Sequence, residues 1–583
     1  MRYLLFIFPL LLLFQCTSPK EDITSTLPNI LLILTDDQGY GDLSIHDNDS
    51  IHTPNLDQLA AESVRFERFY VSQVCAPTRA SLLTGRYHPR TGVTGVTSRR
   101  EVMRAEETTI AEVVGAAGYR TGLFGKWHNG EQYPNDPTGQ GFQEFFGFTA
   151  GHWNNYFDTE LTRNQESVKT EGYLPDILTD RAMNFMQTSG DQPFFCYLAY
   201  NTPHSPMQVP DDYFDRAKAR GLSDYNAAVY GMVENIDDNI GRMLAQLEAD
   251  GQRDNTIVLF LTDNGPNGNR YNDGMKGWKG HYDEGGVRVP LFVRYGDFEP
   301  RQIDKLAAHI DVLPTLLDIC GLKVPDAVAL DGRSLLPLLE GETTDWEERS
   351  IYSFRHGAPF TPRPGAVRTE QYRWVLGRDS SISLYDMIAD FGQTRDISSE
   401  QPEVVARLGA AYDSAFQSVT AQLPLPPPIP VGHAEAKRVH LPVIEAQKVV
   451  GDLRFKEGHA WANDWIVDWN SIDEALTWEI AVQKAGNYAV EVAYTTAAEN
   501  IGSVIAVECN EQQVEATISE AFDPDYMESP DRIVRKEVYE KEWARLSIGE
   551  LYLPEGKQEL SLRALSVLGD EVAEVKGIWL LKK

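Results

Sequence analysis

Two continuous apolar runs, each followed by polar residues, constrain this chain of 583 residues more than any other feature. Residues 29–35 read NILLILT and residues 256–262 read TIVLFLT, a pattern typical of strands buried on both faces. Each run ends in a pair of oxygen-bearing side chains: Asp36 and Asp37 after the first, Asp263 and Asn264 after the second. Because ligands gather beyond the carboxyl ends of parallel strands, we expect the two pairs to converge in space.

Helical stretches separate the two runs and suggest how the chain is organised. The clearest one, at 229–247, places apolar residues at i, i+3 and i+4 on one face. Buried strands that alternate with helices predict an α/β domain with a largely parallel sheet, which we place at 28–350. Shorter strand-like pieces and a helix at 403–417 predict a small C-terminal α/β subdomain at 351–422.

The last part of the chain differs in composition. Residues 423–436 are rich in proline at their start and predict a stiff, extended linker. Residues 437–583 alternate in polarity and contain many aromatic side chains, which predicts an appended β-sandwich. Its tryptophans fit the core of a structural module, or in part the surface of a carbohydrate-binding one.

The amino terminus resembles an export signal. Its apolar run, at 3–14, is too short to span a bilayer as a helix of about 20 residues. The stretch Leu13-Phe14-Gln15-Cys16 resembles a bacterial lipobox, which implies lipidation of Cys16. We therefore expect a signal and lipoprotein segment at 1–16 and a tether at 17–27. The protein would be exported, as a periplasmic or cell-surface lipoprotein of a Gram-negative bacterium with a lipid anchor in the outer membrane.

Charge and cysteine content exclude some classes of function. The chain has 53 Lys and Arg against 86 Asp and Glu, a net charge of −33. Nucleic acid is therefore excluded as the main partner, since phosphate binding draws on clustered basic residues. The five cysteines are far apart and form no CxxC pair, which argues against a zinc or redox site.

Cys75 differs from the other cysteines in its surroundings. Pro77 follows it closely and Gly85 lies ten residues on, which predicts a helix that begins at Cys75 and ends before Gly85. The amino terminus of a helix favours an anion, and Arg79 lies one turn along. On spacing alone, an anion site and a buried structural cysteine are equally open.

Other polar residues support a site for an anion and a metal. The four oxygen-bearing residues after the buried strands suit Ca²⁺ or Mg²⁺ better than zinc, although Asp also caps helices and forms turns after strands. Lysine and histidine side chains occur in Gly- and Pro-containing loops at Lys126, His128, His204 and Lys279. Lysine can neutralise an oxyanion, and histidine can move a proton near neutral pH.

These motifs resemble those of a known family. Cys75-Ala76-Pro77-Thr78-Arg79 with Leu83-Thr84-Gly85-Arg86 is similar to the signature of type I sulfatases, the formylglycine-dependent branch of the alkaline phosphatase superfamily. Further matches follow in the stretches 36–42, 125–128 and 284–290. The resemblance covers about residues 28–420. It implies a large mixed, mostly parallel sheet sandwiched by helices, with a small C-terminal α/β subdomain, to which the predicted β-sandwich is appended.

The resemblance also implies a nucleophile and a metal. A dedicated maturation enzyme would oxidise Cys75 to formylglycine. The hydrated aldehyde would attack sulfur with one hydroxyl and later expel sulfate with the other. The implied cofactor is Ca²⁺, with Mg²⁺ as an alternative, and the implied metal ligands are Asp36, Asp37, Asp263, Asn264 and the modified Cys75.

The remaining catalytic roles are implied residue by residue. Arg79 would steady the formylglycine hydroxyls, and Lys126 and Lys279 would neutralise the sulfate oxygens. His204 would protonate the departing alcohol. His128 would be the base that collapses the hemiacetal sulfate ester.

The substrate is expected to be a sulfated polysaccharide or oligosaccharide, because an exported sulfatase with an appended sandwich resembles enzymes that desulfate glycans. Candidate substrate-binding residues lie outside the signature: Trp153, Asn155, Tyr156, His281, Arg355 and His356. For the loop at 151–158 a simply packed loop is equally open. The alternative functions are an arylsulfatase for sulfur scavenging, a phosphoester hydrolase, and an inactive glycan-binding surface lipoprotein.

Overall fold

The computed structural model describes residues 27–296, 298–342, 346–423, 425–458 and 461–583. The predicted signal segment, with Cys16, lies outside these residues. Within them, no helix is both long enough and apolar enough to cross a membrane.

A mixed, mostly parallel sheet forms the centre of the catalytic domain. Its strands are β1 (Asn29–Thr35), β2 (Val64–Tyr70), β3 (Arg120–Lys126), β4 (Glu144–Phe148), β5 (Glu160–Arg163), β6 (Glu166–Lys169), β7 (Phe194–Ala199), β8 (Thr256–Thr262), β9 (Arg288–Arg294), β10 (Arg301–Ile303) and β11 (Ala307–Ala308). The strand order is β10-β2-β9-β8-β1-β7-β3-β4-β5-β6, with β11 paired to β2. Strands β1, β3, β4, β7 and β8 run parallel, whereas β9, β5 and β6 pair antiparallel with their neighbours.

Helices cover both faces of this sheet. They are α1 (Pro54–Ala61), α2 (Cys75–Thr84), α3 (Ile110–Ala116), α4 (Leu174–Thr188), α5 (Asp211–Ala219), α6 (Asp224–Ala249), α7 (Glu284–Val287), α8 (Val312–Ile319) and α9 (Leu336–Leu339). Alternate residues of β1 enter two different cores: Leu32 packs with the layer that includes α2 and α8, and Leu31 with the layer that includes α4 and α6. This explains why the run at 29–35 is continuously apolar.

The register of β1 and β8 positions the acidic residues. The two strands are parallel neighbours, with Thr35 opposite Thr262. Because both strands end at the same edge of the sheet, Asp36 and Asp263 leave it side by side. The predicted convergence of the two polar pairs follows directly from this register.

The C-terminal subdomain is an antiparallel sheet covered by a helix. Its elements are β12 (Ile351–Ser353), β13 (Gly365–Arg368), β14 (Tyr372–Leu376), β15 (Ile382–Asp386) and α10 (Pro402–Thr420). The stretch 365–376 is a hairpin of β13 and β14. Thr369 N donates to Tyr372 O and closes the turn at 2.9 Å.

The last part of the chain is a β-sandwich, as predicted. One sheet contains β16 (Ile429–Val431), β18 (Lys448–Val450), β21 (Ala475–Val482), β23 (Val504–Cys509), β24 (Gln512–Thr517) and β26 (Gly556–Ser566). The other contains β17 (Arg438–Pro442), β19 (Arg454–Phe455), β20 (Ile466–Val467), β22 (Gly486–Thr495), β25 (Ala544–Leu553) and β27 (Glu574–Lys582). Trp465, Trp469 and Trp478 are buried, whereas Trp461 is 38% exposed, so most of these tryptophans belong to the core.

Strand β16 corrects the boundary of the predicted linker. It lies inside 423–436 and pairs in parallel with β21, so the sandwich begins earlier than the predicted residue 437. Pro430 is tolerated there because the strand lies at the edge of its sheet.

The sandwich packs against the catalytic domain through buried charge. Arg99 is almost fully buried, and its guanidinium donates to Glu445 Oε2 at 3.0 Å and to Pro427 O at 2.6 Å. The connection between β24 and β25, residues 518–543, also reaches the catalytic domain, and we call it the bridging segment. Ile533 within it packs on the core that includes α4 and α6.

Candidate active site

Three buried carboxylates meet at the carboxyl end of β1 and β8. Each is paired with one mostly buried cation: Lys126 with Asp36 at 2.6 Å, Arg79 with Asp263 at 2.8 Å, and Lys279 with Asp37 at 2.6 Å. Asn264 joins the group, since its Nδ2 donates to Asp37 Oδ1 at 2.9 Å. The structure therefore brings four of the five predicted metal ligands and three predicted cationic residues into one cluster.

The oxygen atoms of this cluster fit a hard divalent cation. Asp36 Oδ1 and Asn264 Oδ1 are buried and accept no hydrogen bond from the part of the chain that the structure describes. Burial raises the pKa of Asp36, and burial together with the Asp36 carboxylate raises the pKa of Asp263 to about 6. A bound cation would satisfy the two oxygens and reduce the repulsion between the carboxylates.

Cys75 lies beside these carboxylates. It is the first residue of α2, a helix that is buried along its whole length. Its Sγ, with one carboxylate oxygen each from Asp36 and Asp263, forms a group of atoms within 4.8 Å of one another. Gly85 ends the helix with a φ of 67°, a left-handed conformation that glycine adopts without strain. The predicted helix bounds are those observed.

His128 is held as a hydrogen-bond acceptor facing the site. A carbonyl can only accept, so the 2.9 Å contact with Val96 O places a proton on His128 Nε2. Nδ1 is left with a lone pair and has no donor among the described residues. Burial, and then the nearby Lys126 ammonium, hold the pKa of His128 well below its usual value. A neutral imidazole of this kind can accept a proton, which matches the predicted role of a base.

The backbone around His128 is adapted to this arrangement. His128 has a φ of 63°, which is uncommon for a residue other than glycine. A Cβ atom at Gly151 would lie 2.6 Å from His128 Nε2, so only glycine fits beside the ring. Asp37 also has a positive φ, 67°, so the fold accepts backbone strain at two site residues.

His204 points its other ring nitrogen at the acidic cluster. Nδ1 donates to Ser205 O at 2.7 Å, and Nε2 lies 3.7 Å from Asp37 Oδ2. Burial and then the Lys279 ammonium lower the pKa of His204, while the carboxylates of Asp37 and Glu537 act in the opposite direction. Nε2 is therefore the ring nitrogen that faces the acidic cluster, and it can deliver a proton only from the imidazolium form, which the Asp37 and Glu537 carboxylates favour.

For the loop at 151–158 the structure favours the packed-loop alternative at Tyr156 and Asn155. Tyr156 is fully buried, and its hydroxyl donates to His204 O and Ser205 O, both at 2.9 Å. Asn155 is covered by Met527 of the bridging segment, and Trp153 stacks on Phe148. Tyr156 thus positions the His204 loop and is not a surface for a ligand.

His152 is a site residue that the sequence reasoning passed over. Its ring is buried and stacks parallel to that of His204, with centroids 6.0 Å apart. The sequence prediction names only its aromatic and amide neighbours in the loop. The only sequence signal was its place in the same polar, aromatic loop.

The remaining substrate-binding candidates lie in two regions. The rings of His281 and Trp278 pack at a steep angle to each other. Trp278 is 41% exposed and adjacent to Lys279, and the sequence prediction did not include it among the site residues. His356 Nδ1 accepts a hydrogen bond from Gln73 Nε2 at 2.9 Å. Because Gln73 is two residues before Cys75, His356 borders the site. Arg355 instead donates within its own loop, to Arg363 O at 2.8 Å.

The motif at 284–290 has a structural role. Glu284 is buried, accepts from Tyr70 Oη at 2.7 Å, and forms an ion pair with Arg373 of β14 at 2.5 Å. It therefore joins the catalytic domain to the C-terminal subdomain. Gly286 O accepts from Gly265 N at 3.0 Å, directly after Asn264, so this junction also supports the metal-ligand loop.

The geometry indicates a class of enzyme. Cationic groups around a nucleophile position suit transfer of a sulfate- or phosphate-type group, because charge develops on the peripheral oxygens. Hard oxygen ligands in place of several histidines distinguish the centre from a zinc site. The fold and the site together define a hydrolase of the alkaline phosphatase superfamily.

Comparison with known proteins identifies the family. A sulfatase family model matches residues 28–322, and a model of the C-terminal part of N-sulphoglucosamine sulphohydrolase matches residues 276–411. The chain belongs to the sulfatase family, the formylglycine-dependent branch of that superfamily, and is a sulfuric ester hydrolase.

Individual relatives agree with this assignment. The uncharacterized sulfatase YdeN of Escherichia coli is 33% identical over 56% of this chain and 68% of its own. The N-acetylgalactosamine-6-sulfatase of Mus musculus is 32% identical over 60% and 72% of the two chains. The crystal structure of Ps i-CgsB in complex with k-i-k-neocarrahexaose is similar with a TM-score of 0.64 and 28% identity, over 68% of this chain and 94% of that one.

Proposed function

We propose that this enzyme hydrolyses sulfate esters of a sulfated polysaccharide or oligosaccharide, with Cys75 in its formylglycine form as the nucleophile. The observation that carries the proposal is the position of Cys75 Sγ beside the oxygens of Asp36 and Asp263. A buried thiol among hard oxygen ligands is a poor partner for a hard cation, whereas hydroxyl groups at the same position suit it. A maturation enzyme would supply the oxidant and remove the sulfur.

The residues present divide the chemistry among them. A bound divalent cation, for which we propose Ca²⁺, would polarise the sulfate and lower the pKa of the attacking hydroxyl. The hydrated aldehyde supplies one hydroxyl for attack and one to expel sulfate, so water need not attack a sulfate ester. Lys126 and Lys279 stabilise the sulfate oxygens, and Arg79 orients the nucleophile.

The two histidines would complete the cycle, His204 as an acid from its imidazolium form and His128 as a base from its neutral form. His204 Nε2 delivers a proton to the departing sugar alcohol. His128 Nδ1, which is unprotonated, takes the proton from the second hydroxyl so that sulfate leaves. The hydrogen bonds at the other ring nitrogens fix which atom faces the substrate.

A glycan substrate is supported by relatives and by the rim of the site. Ps i-CgsB was solved with a neocarrahexaose, and the mouse relative is named as an N-acetylgalactosamine-6-sulfatase. Trp278, which is partly exposed and adjacent to Lys279 in the sequence, offers aromatic surface that suits the apolar face of a sugar ring.

Release of inorganic sulfate from sulfated mono- and oligosaccharides tests the function. The wild-type protein, produced together with a maturation enzyme, should release sulfate and show the aldehyde at position 75 by peptide mass spectrometry. Cys75→Ser and Cys75→Ala should lose turnover and keep the melting temperature. Cys509→Ala, a buried cysteine of the sandwich, is the matched control and should remain active. Turnover by Cys75→Ala would refute the mechanism.

We also propose that the protein is exported and lipidated at Cys16. The proposal rests on the apolar run at 3–14 and the lipobox-like residues before Cys16. Incorporation of a labelled fatty acid into the wild-type chain, and its loss in Cys16→Ala, is the expected result.

A further inference from the structure

The bridging segment lies on the loops that carry the active-site histidines. It leaves the sandwich after β24, crosses to the catalytic domain and returns at β25. Its polar contacts join five of its residues to the loops at 152–156 and 204–209. Gln208 Nε2 donates to Ser529 Oγ at 2.8 Å and to Asp531 Oδ1 at 2.9 Å, and Arg532 N donates to Met207 O at 2.9 Å. Arg535 Nη1 donates to Asn154 O at 2.7 Å, and Asn154 Nδ2 donates to Glu540 Oε2 at 3.0 Å.

These contacts belong to an interface that includes buried polar and apolar side chains. Arg535 is buried and pairs with Asp531 at 2.6 Å, so the segment is braced from within as well as against the catalytic domain. Ile533 adds an apolar contact with the core beneath the His204 loop. Loss of either partner of such a buried ion pair is costly, so the pair fixes the position of the segment.

Glu537 is the acidic residue of this segment that lies beside His204. Its carboxylate accepts a hydrogen bond from Ser205 Oγ, and it is close enough to His204 to act on the pKa of that ring. Glu537 is half-buried, so part of the residue is open to solvent. No step of the proposed reaction uses it.

The same segment covers part of the loop at 151–158. Asn154 and Asn155 are buried beneath it, and Tyr156 is enclosed. Part of the surface next to His204 is therefore supplied by the C-terminal module, through Glu537. His204 faces the departing alcohol of the substrate, so this surface borders the sugar and not the sulfate.

We propose that the bridging segment forms the wall of the active site next to His204, and that the Glu537 carboxylate accepts a hydrogen bond from a hydroxyl group of the sulfated sugar. The inference rests on the proposed function and specifies its substrate class. A carboxylate accepts hydrogen bonds from neutral hydroxyls and repels a second sulfate or a uronate. The site thus favours a sugar that presents a free hydroxyl at this position.

The test compares two substrates in matched variants. One substrate is 4-nitrophenyl sulfate, which has no sugar, and the other is the best of monosulfated galactose, N-acetylgalactosamine and N-acetylglucosamine. Glu537→Ala should lower kcat/KM for the sugar sulfate about tenfold or more beyond its effect on the aryl sulfate, the size expected for a lost hydrogen bond to a charged acceptor. Equal losses on both substrates would overturn the proposal.

A second variant and a control separate contact from folding. Glu537→Gln keeps an acceptor oxygen and should retain most of the sugar activity while it tolerates a disulfated sugar better than the wild type does. A loss equal to that of Glu537→Ala would overturn the hydroxyl contact. The control is Glu555→Gln, which changes an exposed glutamate after β25. The ten residues of β25 span about 33 Å and separate Glu555 from the end of the bridging segment. Melting temperatures verify that each variant is folded.

Failure of the proposed function gives a different result. In that case the wild-type enzyme would release sulfate from none of the substrates. Calorimetric binding of the same sugars to Cys75→Ala and to Cys75→Ala/Glu537→Ala then judges the inference by itself. Weaker binding by the double variant supports it, and equal affinities overturn it.

Discussion

Replacement of Glu284 by glutamine should cost this protein much of its stability at neutral pH. Glu284 is buried, and although burial opposes its charge, the guanidinium groups of Arg373, Arg368 and Arg288 lower its pKa from 4.5 to about 2. A difference of this size corresponds to about 3 kcal/mol in favour of the folded state. The value agrees with the cost of about 3–5 kcal/mol expected when one partner of a buried ion pair is removed.

The pH dependence gives the prediction its sign. Because the folded pKa is below the unfolded one, Glu284 contributes its full stabilisation above about pH 4.5 and loses it as pH falls toward about 2. Wild type and Glu284→Gln should therefore differ by about 3 kcal/mol at neutral pH and converge in acid. Urea unfolding followed by tryptophan fluorescence measures this, since Trp374 is buried next to Arg373.

The matched control is an exposed ion pair of the same subdomain. Arg395 and Glu400 lie 2.7 Å apart, with side chains 70% and 52% exposed. Glu400→Gln should leave the unfolding curve unchanged, because exposed pairs contribute little. A loss below about 1 kcal/mol for Glu284→Gln at neutral pH, or a difference that persists unchanged in acid, would refute the reasoning.

Three further perturbations address the site. Lys279→Ala should lower kcat about 100- to 1,000-fold, the loss seen when an oxyanion donor is removed from an active site. The melting temperature of the metal-loaded protein should change little, because the bound cation still compensates the charge of Asp37. Equal losses of activity and stability would show that Lys279 has a structural role. Removal of divalent cations with EDTA should stop sulfate release and lower stability by about 3 kcal/mol, as for a site saturated 100-fold above its Kd, and added Ca²⁺ should restore both; turnover at full rate in EDTA would contradict the metal centre. Trp278→Ala should reduce kcat/KM for a sulfated oligosaccharide about tenfold, the equivalent of about 60 Å² of lost apolar contact, and more than for an aryl sulfate; an equal effect on both would argue against a sugar platform.

The sequence predicts the parts of the site that depend on local pattern. The run at 29–35 and its counterpart at 256–262 are recognisable because both faces of each strand are buried, and their carboxyl ends must meet in a parallel pair. The bounds of α2 follow from Cys75 and Gly85 alone. Each of these features is encoded within a few residues of where it acts.

Features created by distant contacts could not be predicted in this way. Tyr156 lies in a loop whose polar and aromatic residues are typical of a ligand-binding surface. It is nevertheless enclosed, because Gln208 and the bridging segment meet above this loop. Strand β16 has a linker-like sequence and becomes a strand only because β21 offers a free edge. Periodicity carries no information on either partner, since both lie far away along the chain.

The way the bridging segment is anchored limits how this enzyme could have been assembled from, or exchanged with, others. A module attached only through its proline-rich connection could be swapped as a cassette. Here the graft would also have to reproduce the contacts of the bridging segment with the loops at 152–156 and 204–209.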